Sequence, residues 1–412
     1  MTTNTATIPA SNAQKIDSGV PWALQWLVNF FSSQGLTVVL LLFLGLLTFL
    51  GTLEQQYSGL YDVQKRYFES KYLLVDLGIV VLPLPGGMLV QGLLFINILV
   101  GGIVRMKKSN VGILITHVGI AFLLFSGFWK HKFSQEGHVT LYENESAKHY
   151  ESYYTWEISI SRQLEDGKYE EYVIPHENLV DATGSEKVTL FSSELPFDLE
   201  VHRFMRNASP EGFDGMKDPG VPVVDGVYLG ELRPEKESEH NRAGIYADVV
   251  VKKTGQRHEG VLWGFDFHKA TRRQAANWAV EVDGTEWLID LRHTRFPMPF
   301  TVTLDKFTKE EHARTTMPRV FSSDVSVAQV DDNRKIKIEM NEPLRDEGLV
   351  LYQSGWGPQT AEPGDPLFST LSVVRNRADH WPEYSCWIIA VGLLIHFIKK
   401  LWKYIQVEVA KA

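Results

Sequence analysis

Apolar residues in this chain gather into a few uninterrupted runs, and a long polar stretch separates the third run from the fourth. Residues 35–53 (GLTVVLLLFLGLLTFLGTL) carry no charge, and Glu54, Gln55 and Gln56 mark their end. At about 1.5 Å of rise per residue, such a run crosses a bilayer as a helix. The pattern predicts further spans at 88–104, at 111–129 and at 384–403. Ahead of the first span, PWALQWLVNFF (21–31) places Trp and Phe on a short helix suited to the headgroup level. Residues 57–77 mix charges with aromatics and read as an amphipathic segment outside the hydrocarbon. Pro83, Pro85, Gly86 and Gly87 predict a break before the second span, near 82–87.

Between the third and fourth spans the period changes to two. HVTLYE, TWEISIS, IYADVVVK, WAVEVDG, EWLIDL, FTVTLDKF, KIKIEM, LVLYQS and STLSVV are strand-like runs punctuated by Gly, Pro, Asn and Asp. Residues 207–244 are rich in Gly, Pro and acids, which predicts a loop or insertion between two β halves. LPFDLEVHRFMR from Leu195 echoes MPFTVTLDKFTK from Met298, with the Pro-Phe pair and a later Phe kept in both. The fold class is therefore a mixed membrane protein: four transmembrane α-helices, with a large extracytoplasmic, predominantly β domain at 130–383. A disordered tail at 1–20 and a short cytoplasmic tail at 404–412 complete it.

Composition alters this picture in three ways. The mean hydropathy of −0.12 conceals the spans, because the polar stretch dilutes them. A net charge of −9 without a basic stripe makes nucleic acid an unsuitable partner. The single cysteine, Cys386, excludes an intrachain disulfide and any C-x-x-C motif, so the chain attaches no c-type haem to itself. Charge also sets orientation. Arg105, Lys107 and Lys108 make the loop between spans two and three cytoplasmic, and Lys399, Lys400 and Lys403 do the same for the C-terminus. Both termini then lie in the cytoplasm of a bacterial-type inner membrane.

Two histidines stand inside spans. His117 lies roughly 10 Å from the basic end of the third, where an ionisable group is costly and faces either a neighbouring helix or a metal or haem site. His396, one turn before Lys399, can reach the interface, though it falls on the same side of the bilayer as His117. His131, His138 and His380 flank the outer mouths of the spans without a metal-ligand spacing. Phosphate-binding Gly-Lys loops and nucleophile elbows are absent, leaving no independent catalytic motif. Asn97 reads as a helix-to-helix hydrogen bond.

The order of motifs resembles the ResB family, also called CcsB, over roughly residues 35–403. GTLEQ, LLFINILVGGIVR, THVGIAFLLFSG, FSQEGHVTLYENES, MPFTVTLDKF, FSSDVSV and IEMNEPLRDEGLVLYQSGW carry the likeness. Asn341, Pro343 and Leu344 occupy the MN-x-PL motif of that family, and Gln353 and Ser354 its YQS motif. Gly101 stands where many relatives have cysteine, and the tryptophan-rich WWD motif of the CcsA-type half is absent. The resemblance implies system II cytochrome c maturation, in which haem crosses the membrane and is attached to apocytochrome c. It implies non-covalent haem in transit with His117 as axial ligand, a CcsA-type membrane partner, and apocytochrome c as client, and leaves room for a thiol-reducing partner. Other readings are a b-type electron-transfer subunit using His117 and His396 together, and a haem-free scaffold.

Overall fold

A computed structural model describes residues 21–76, 81–104, 111–216, 218–265, 278–311, 318–329, 332–358 and 365–411. The polar stretch 1–20 and the basic loop 105–110, which the sequence assigns to a disordered tail and a cytoplasmic turn, lie outside the described residues. The chain forms two compact units. One comprises 1–54, 63–132 and 378–412, the other 55–62 and 133–377.

The first unit is helical. An N-terminal helix, α1 (Trp22–Phe31), precedes α2 (Gln34–Glu54). The short α3 (Leu60–Val63) and a π-helical turn (Gln64–Phe68) lead to a hairpin of β1 (Tyr72–Asp76) and β2 (Val81–Pro85). Helix α4 (Gly87–Asn97) runs on through a π-helical stretch (Ile98–Val104), and α5 (Val111–Phe133) follows. Among the described residues three helices are long and apolar enough to cross a membrane: α2, α5 and, after the single turn α6 (His176–Leu179) of the second unit, the C-terminal α7 (Trp381–Val409). The apolar stretch Gly87–Ile103 is shorter. Segment 57–77, expected as one amphipathic element, is divided among these pieces, because Val63, Tyr67 and Leu73 are drawn into the helical core with Leu47 and Val90. Neighbouring helices run antiparallel. Thr37 of α2 bonds Asn97 of α4, Gly92 of α4 faces Phe128 of α5, and Trp381 at the start of α7 packs on Trp129 near the end of α5.

The second unit is predominantly β. Among the described residues ten strands form one antiparallel sheet, whose main path runs β15 (Asn333–Glu339), β14 (Pro318–Ala328), β13 (Thr285–Glu311), β4 (Ser146–Gln163), β3 (Gln135–Tyr142), β18 (Phe368–Arg375), β17 (Leu349–Gly357) and β16 (Leu344–Asp346), and a four-stranded sheet runs β11 (Arg257–Trp263), β10 (Gly244–Val251), β7 (Phe197–Met205) and β6 (Val188–Leu190). Two strands organise it: β4 (Ser146–Gln163) and β13 (Thr285–Glu311). Each feeds two separate cores. Trp156, Ile158 and Ile160 of β4 join Trp287, Ile289 and Leu291 of β13 in the first, beneath β7 (Phe197–Met205) and β10 (Gly244–Val251). Further along, Tyr150 of β4 and Met298, Phe300, Val302 and Leu304 of β13 enter the second, with β14 (Pro318–Ala328), β17 (Leu349–Gly357) and β18 (Phe368–Arg375). Their pairing shifts register between Pro297 and Val302, where Pro297 and Pro299 withhold backbone donors and let the strand bend.

The echoed sequences occupy equivalent places. Phe197, Leu199 and Val201 point into the first core, and Phe300, Val302 and Leu304 into the second. The stretch 207–244, expected as a loop or insertion, contains a hairpin of β8 (Ala208–Gly212) and β9 (Val227–Glu231). Glycine and proline signalled its turns, but tertiary contacts order it: the Tyr246 hydroxyl accepts from Leu229 N–H at 2.8 Å, and Trp263 Nε1 donates to the Ala208 carbonyl at 2.8 Å.

Candidate functional site

His117 stands about two turns inside the apolar helix α5, and its ring is held on two sides. Its Nδ1 lies 2.8 Å from the carbonyl oxygen of Ile113, one turn earlier in α5. A carbonyl only accepts, so Nδ1 carries the hydrogen, and in the neutral ring Nε2 keeps its lone pair. The ring's other flank lies against Gly102, where an added Cβ would fall 2.2 Å from His117 Cδ2. Gly102 belongs to the π-helical stretch Ile98–Val104, a geometry that recurs at functional sites. Its neighbour Gly101 faces the Ser32 backbone, less tightly, with 3.2 Å from a built Cβ to Ser32 Cα. The pair of glycines in LVGGIVR therefore brings this helix against both the α1–α2 junction and the imidazole. Asn97 secures that junction, donating to the carbonyls of Phe31 and Ser33 at 2.7 and 3.1 Å and accepting from Thr37 Oγ1 at 2.6 Å.

His396 approaches α5 from elsewhere. Its backbone nitrogen lies 2.6 Å from a Cβ built on Gly112, and Gly392 meets the Thr116 backbone at the same spacing. Gly112 and His117 are five residues apart, about 140° around the helix. Helix α5 thus turns one face to α7 and another, bearing His117, to Gly102. The structure brings His117 to Gly102 and leaves His396 on the far side of α5, its ring edge-on to Phe397 at 5.7 Å. The remaining histidines have local partners: His131 with Glu69 at 3.5 Å, His380 with Glu383 at 3.2 Å, and His138 stacked on Tyr153 at 4.8 Å. No group of three or more His, Cys, Asp or Glu suited to a metal ion occurs among the described residues.

Most of the residues singled out in the β unit lie in or beside its second core. Gln353 of β17 accepts from Ser323 Oγ at 2.5 Å and from Ser369 Oγ at 3.1 Å, and donates to the Gly355 carbonyl at 2.8 Å. Ser323 on β14 and Ser369 on β18 are fully buried, so one amide ties three strands together. Ser354 falls at the register shift between Gln353 and Gly355, where its hydroxyl donates to the Thr370 carbonyl at 2.9 Å. Leu344 is buried in the same core, Pro343 is half-buried, and Asn341 is exposed at the turn before β16 (Leu344–Asp346). Gln353, Ser354 and Leu344 thus hold strands together.

Sequence inspection missed the ion pairs of this unit. Arg292 lies between Glu157 at 3.0 Å and Glu171 at 2.7 Å. Burial pushes the Glu157 carboxyl up despite that cation, whereas at Glu171 the Arg292 and Ser159 bonds outweigh burial and hold the carboxyl down. Nothing in the sequence marks these partners, because they come from strands far apart in the chain. Gly102 was likewise legible only as a glycine near a span end.

Comparison with known proteins adds one finding. No curated protein matches the chain. The model of the ResB-like family matches residues 270–377, from the approach to β12 (Trp278–Val282) to the end of β18, and includes Asn341, Pro343, Leu344, Gln353 and Ser354. Beside its apolar helices, the β unit of this chain thus contains, over residues 270–377, a region that matches the ResB-like family.

Proposed function

We propose that the chain is the ResB-type subunit of a system II cytochrome c maturation complex, moving haem across the inner membrane with a CcsA-type partner for attachment to apocytochrome c. The observation that carries this reading is the preparation of His117. A hydrogen bond from Nδ1 to a carbonyl orients an imidazole and leaves Nε2 as the nitrogen able to bind a metal, which is the usual arrangement for a ligand histidine. Gly102 supplies the space for the ring. The residues present fit one axial bond to haem iron and no more.

The His396 backbone packs at Gly112, about 140° around α5 from His117, and that separation disfavours the b-type electron-transfer reading, in which the two rings share one iron. A second axial ligand then comes from the partner. The antiparallel helices favour four crossings, with α4 and its π-helical extension as the second, the basic ends cytoplasmic and the β unit outside. There the β unit would hold partner and apocytochrome in register, and a thiol reductant would keep the client's cysteines ready.

The test is purification of the complex with and without the CcsA-type partner. Wild type should carry haem with the partner present, and His117→Ala should insert normally but lose haem and cytochrome c maturation, with partial rescue by imidazole. His396→Ala should be mild. Full haem content and maturation in the His117 variant would overturn the assignment.

A further inference from the structure

The hairpin β1–β2 is an unusual object at the end of a helical bundle. Its inner face, with Leu73, Val75 and Leu84, packs into the helical core. Its outer face is apolar and uncovered: Tyr72 is 70% exposed, Leu74 53% and Val81 53%. Asp76 is the only charged residue between Tyr72 and Pro85. An exposed, apolar two-stranded ribbon has no independent stability in water and ordinarily invites strand pairing.

Both edges are blunted against such pairing. Gly86 N–H donates to the Lys71 carbonyl at 2.9 Å, which sets the alternation of the ladder and turns residues 83 and 85 to the free edge of β2. Both are proline and offer no donor there. On the free edge of β1, Arg66 donates to the Leu74 carbonyl at 3.3 Å. The base of the hairpin is rigid. A Cβ on Gly87 would fall 2.7 Å from Phe68 Cα, and Met88 N–H bonds the Ser70 carbonyl at 3.2 Å. A ribbon that hides its backbone edges but shows an apolar face suits a medium poor in water rather than another strand.

Helix length identifies that medium. Gly87–Ile103 is the shorter apolar helix, and at 1.5 Å per residue its 17 residues reach about 25 Å. A hydrocarbon layer is about 30 Å thick, so this crossing falls roughly 5 Å short. The hairpin joins it directly at Gly87, and Leu89 and Ile96, seven residues apart on one face of that helix, are exposed as well. We infer that the β1–β2 hairpin lies in the interfacial layer of the bilayer, with Tyr72, Leu74 and Val81 against lipid, and completes the hydrophobic thickness that the second crossing lacks. The inference rests on the reading of α4 and its extension as a crossing.

Depth measurement on the full chain in phosphatidylcholine nanodiscs tests it. In a Cys386→Ser background, nitroxide labels are placed at Leu74→Cys and Val81→Cys, with Leu89→Cys and Ile96→Cys as hydrocarbon references and Met216→Cys as the aqueous one. Labels at 74 and 81 should collide with oxygen more than with a water-soluble nickel chelate, at a depth shallower than position 89. Nickel access equal to that of position 216 overturns the inference, as does shielding from both reagents, which would place protein there. Nickel access at 89 and 96 as well would instead overturn the crossing itself, a result distinguishable from failure of the hairpin alone.

Discussion

The imidazole of His117 occupies the space that a side chain at residue 102 would fill: a Cβ on Gly102 falls 2.2 Å from ring Cδ2 and 2.8 Å from Cγ. Placement of the candidate ligand is thus a property of two helices. Gly102→Ala should force the ring off its Ile113 hydrogen bond and weaken haem retention roughly 10- to 100-fold, the range for loss of a ligand-orienting contact. Gly45→Ala is the matched control, because nothing lies within 4 Å of a Cβ there. The haem content and absorption spectrum of the purified complex read the difference; equal spectra for the two variants would remove Gly102 from the site.

Gln353 is expected to act through stability. Gln353→Leu leaves the buried hydroxyls of Ser323 and Ser369 without their amide partner, at a cost of about 1–3 kcal/mol. Urea unfolding should register that loss, while haem retention at a temperature where the variant is folded should be unchanged. A variant of wild-type stability that nevertheless fails in maturation would assign the YQS motif a binding role.

Stability should fall in acid through a known pair of groups. The bidentate bond from Arg257, at 2.6 and 3.0 Å, holds the Glu200 carboxyl below the usual carboxylate range. A depressed folded value means that its contribution is complete above the ordinary glutamate pKa of about 4.3 and disappears as pH falls through the lowered value. His202 begins the loss higher, because burial pushes its imidazole down against the pull of Asp248, so the unfolded state takes up the proton first below about 6.5. Glu200→Gln should therefore be less stable than wild type at neutral pH, with the gap closing once pH is below the carboxylate range. A gap independent of pH in denaturant titrations would refute the linkage.

The segment after α2 should behave as part of the β unit. Tyr61 stacks on Tyr154 at 3.6 Å, and Asp62 pairs with Arg206 at 2.8 Å. Burial, followed by Glu239, Glu136 and Tyr61, pushes the Tyr154 hydroxyl up to about 12. Tyr61→Ala uncovers that ring and should bring its titration back toward the ordinary value of about 10, with a stacking loss of about 0.5–1.5 kcal/mol. Ring-labelled tyrosine NMR against pH gives the answer, and an unmoved titration would mean that the stack does not form.

Orientation is open to a direct assay. A reporter fused after Asn110 should behave as cytoplasmic, and one inserted between β8 and β9 as extracytoplasmic, given the basic loop and the basic end of α7. A cytoplasmic signal from the insertion would reverse the assigned topology.

The sequence by itself determined where apolar helices and alternating strands fall, because uncharged runs and period-two alternation report burial one residue at a time. Leu40 and Leu47 on α2, and Phe300, Val302 and Leu304 on β13, are buried for reasons visible in their own neighbourhoods. It also isolated His117 as a costly residue, since depth within a span can be counted along the chain. Only the tertiary structure decided what that histidine faces. Gly102, the carbonyl of Ile113 and the seam of Gly112 with Gly392 assign its ring and His396 to different faces of α5, and the sequence left both arrangements open. The same holds for the division of the β unit into two cores along β4 and β13, and for the hairpin ordered within 207–244. Local pattern records which positions avoid water; which partners they meet depends on register and close approach between segments far apart in sequence, and those contacts exist only once the chain has packed.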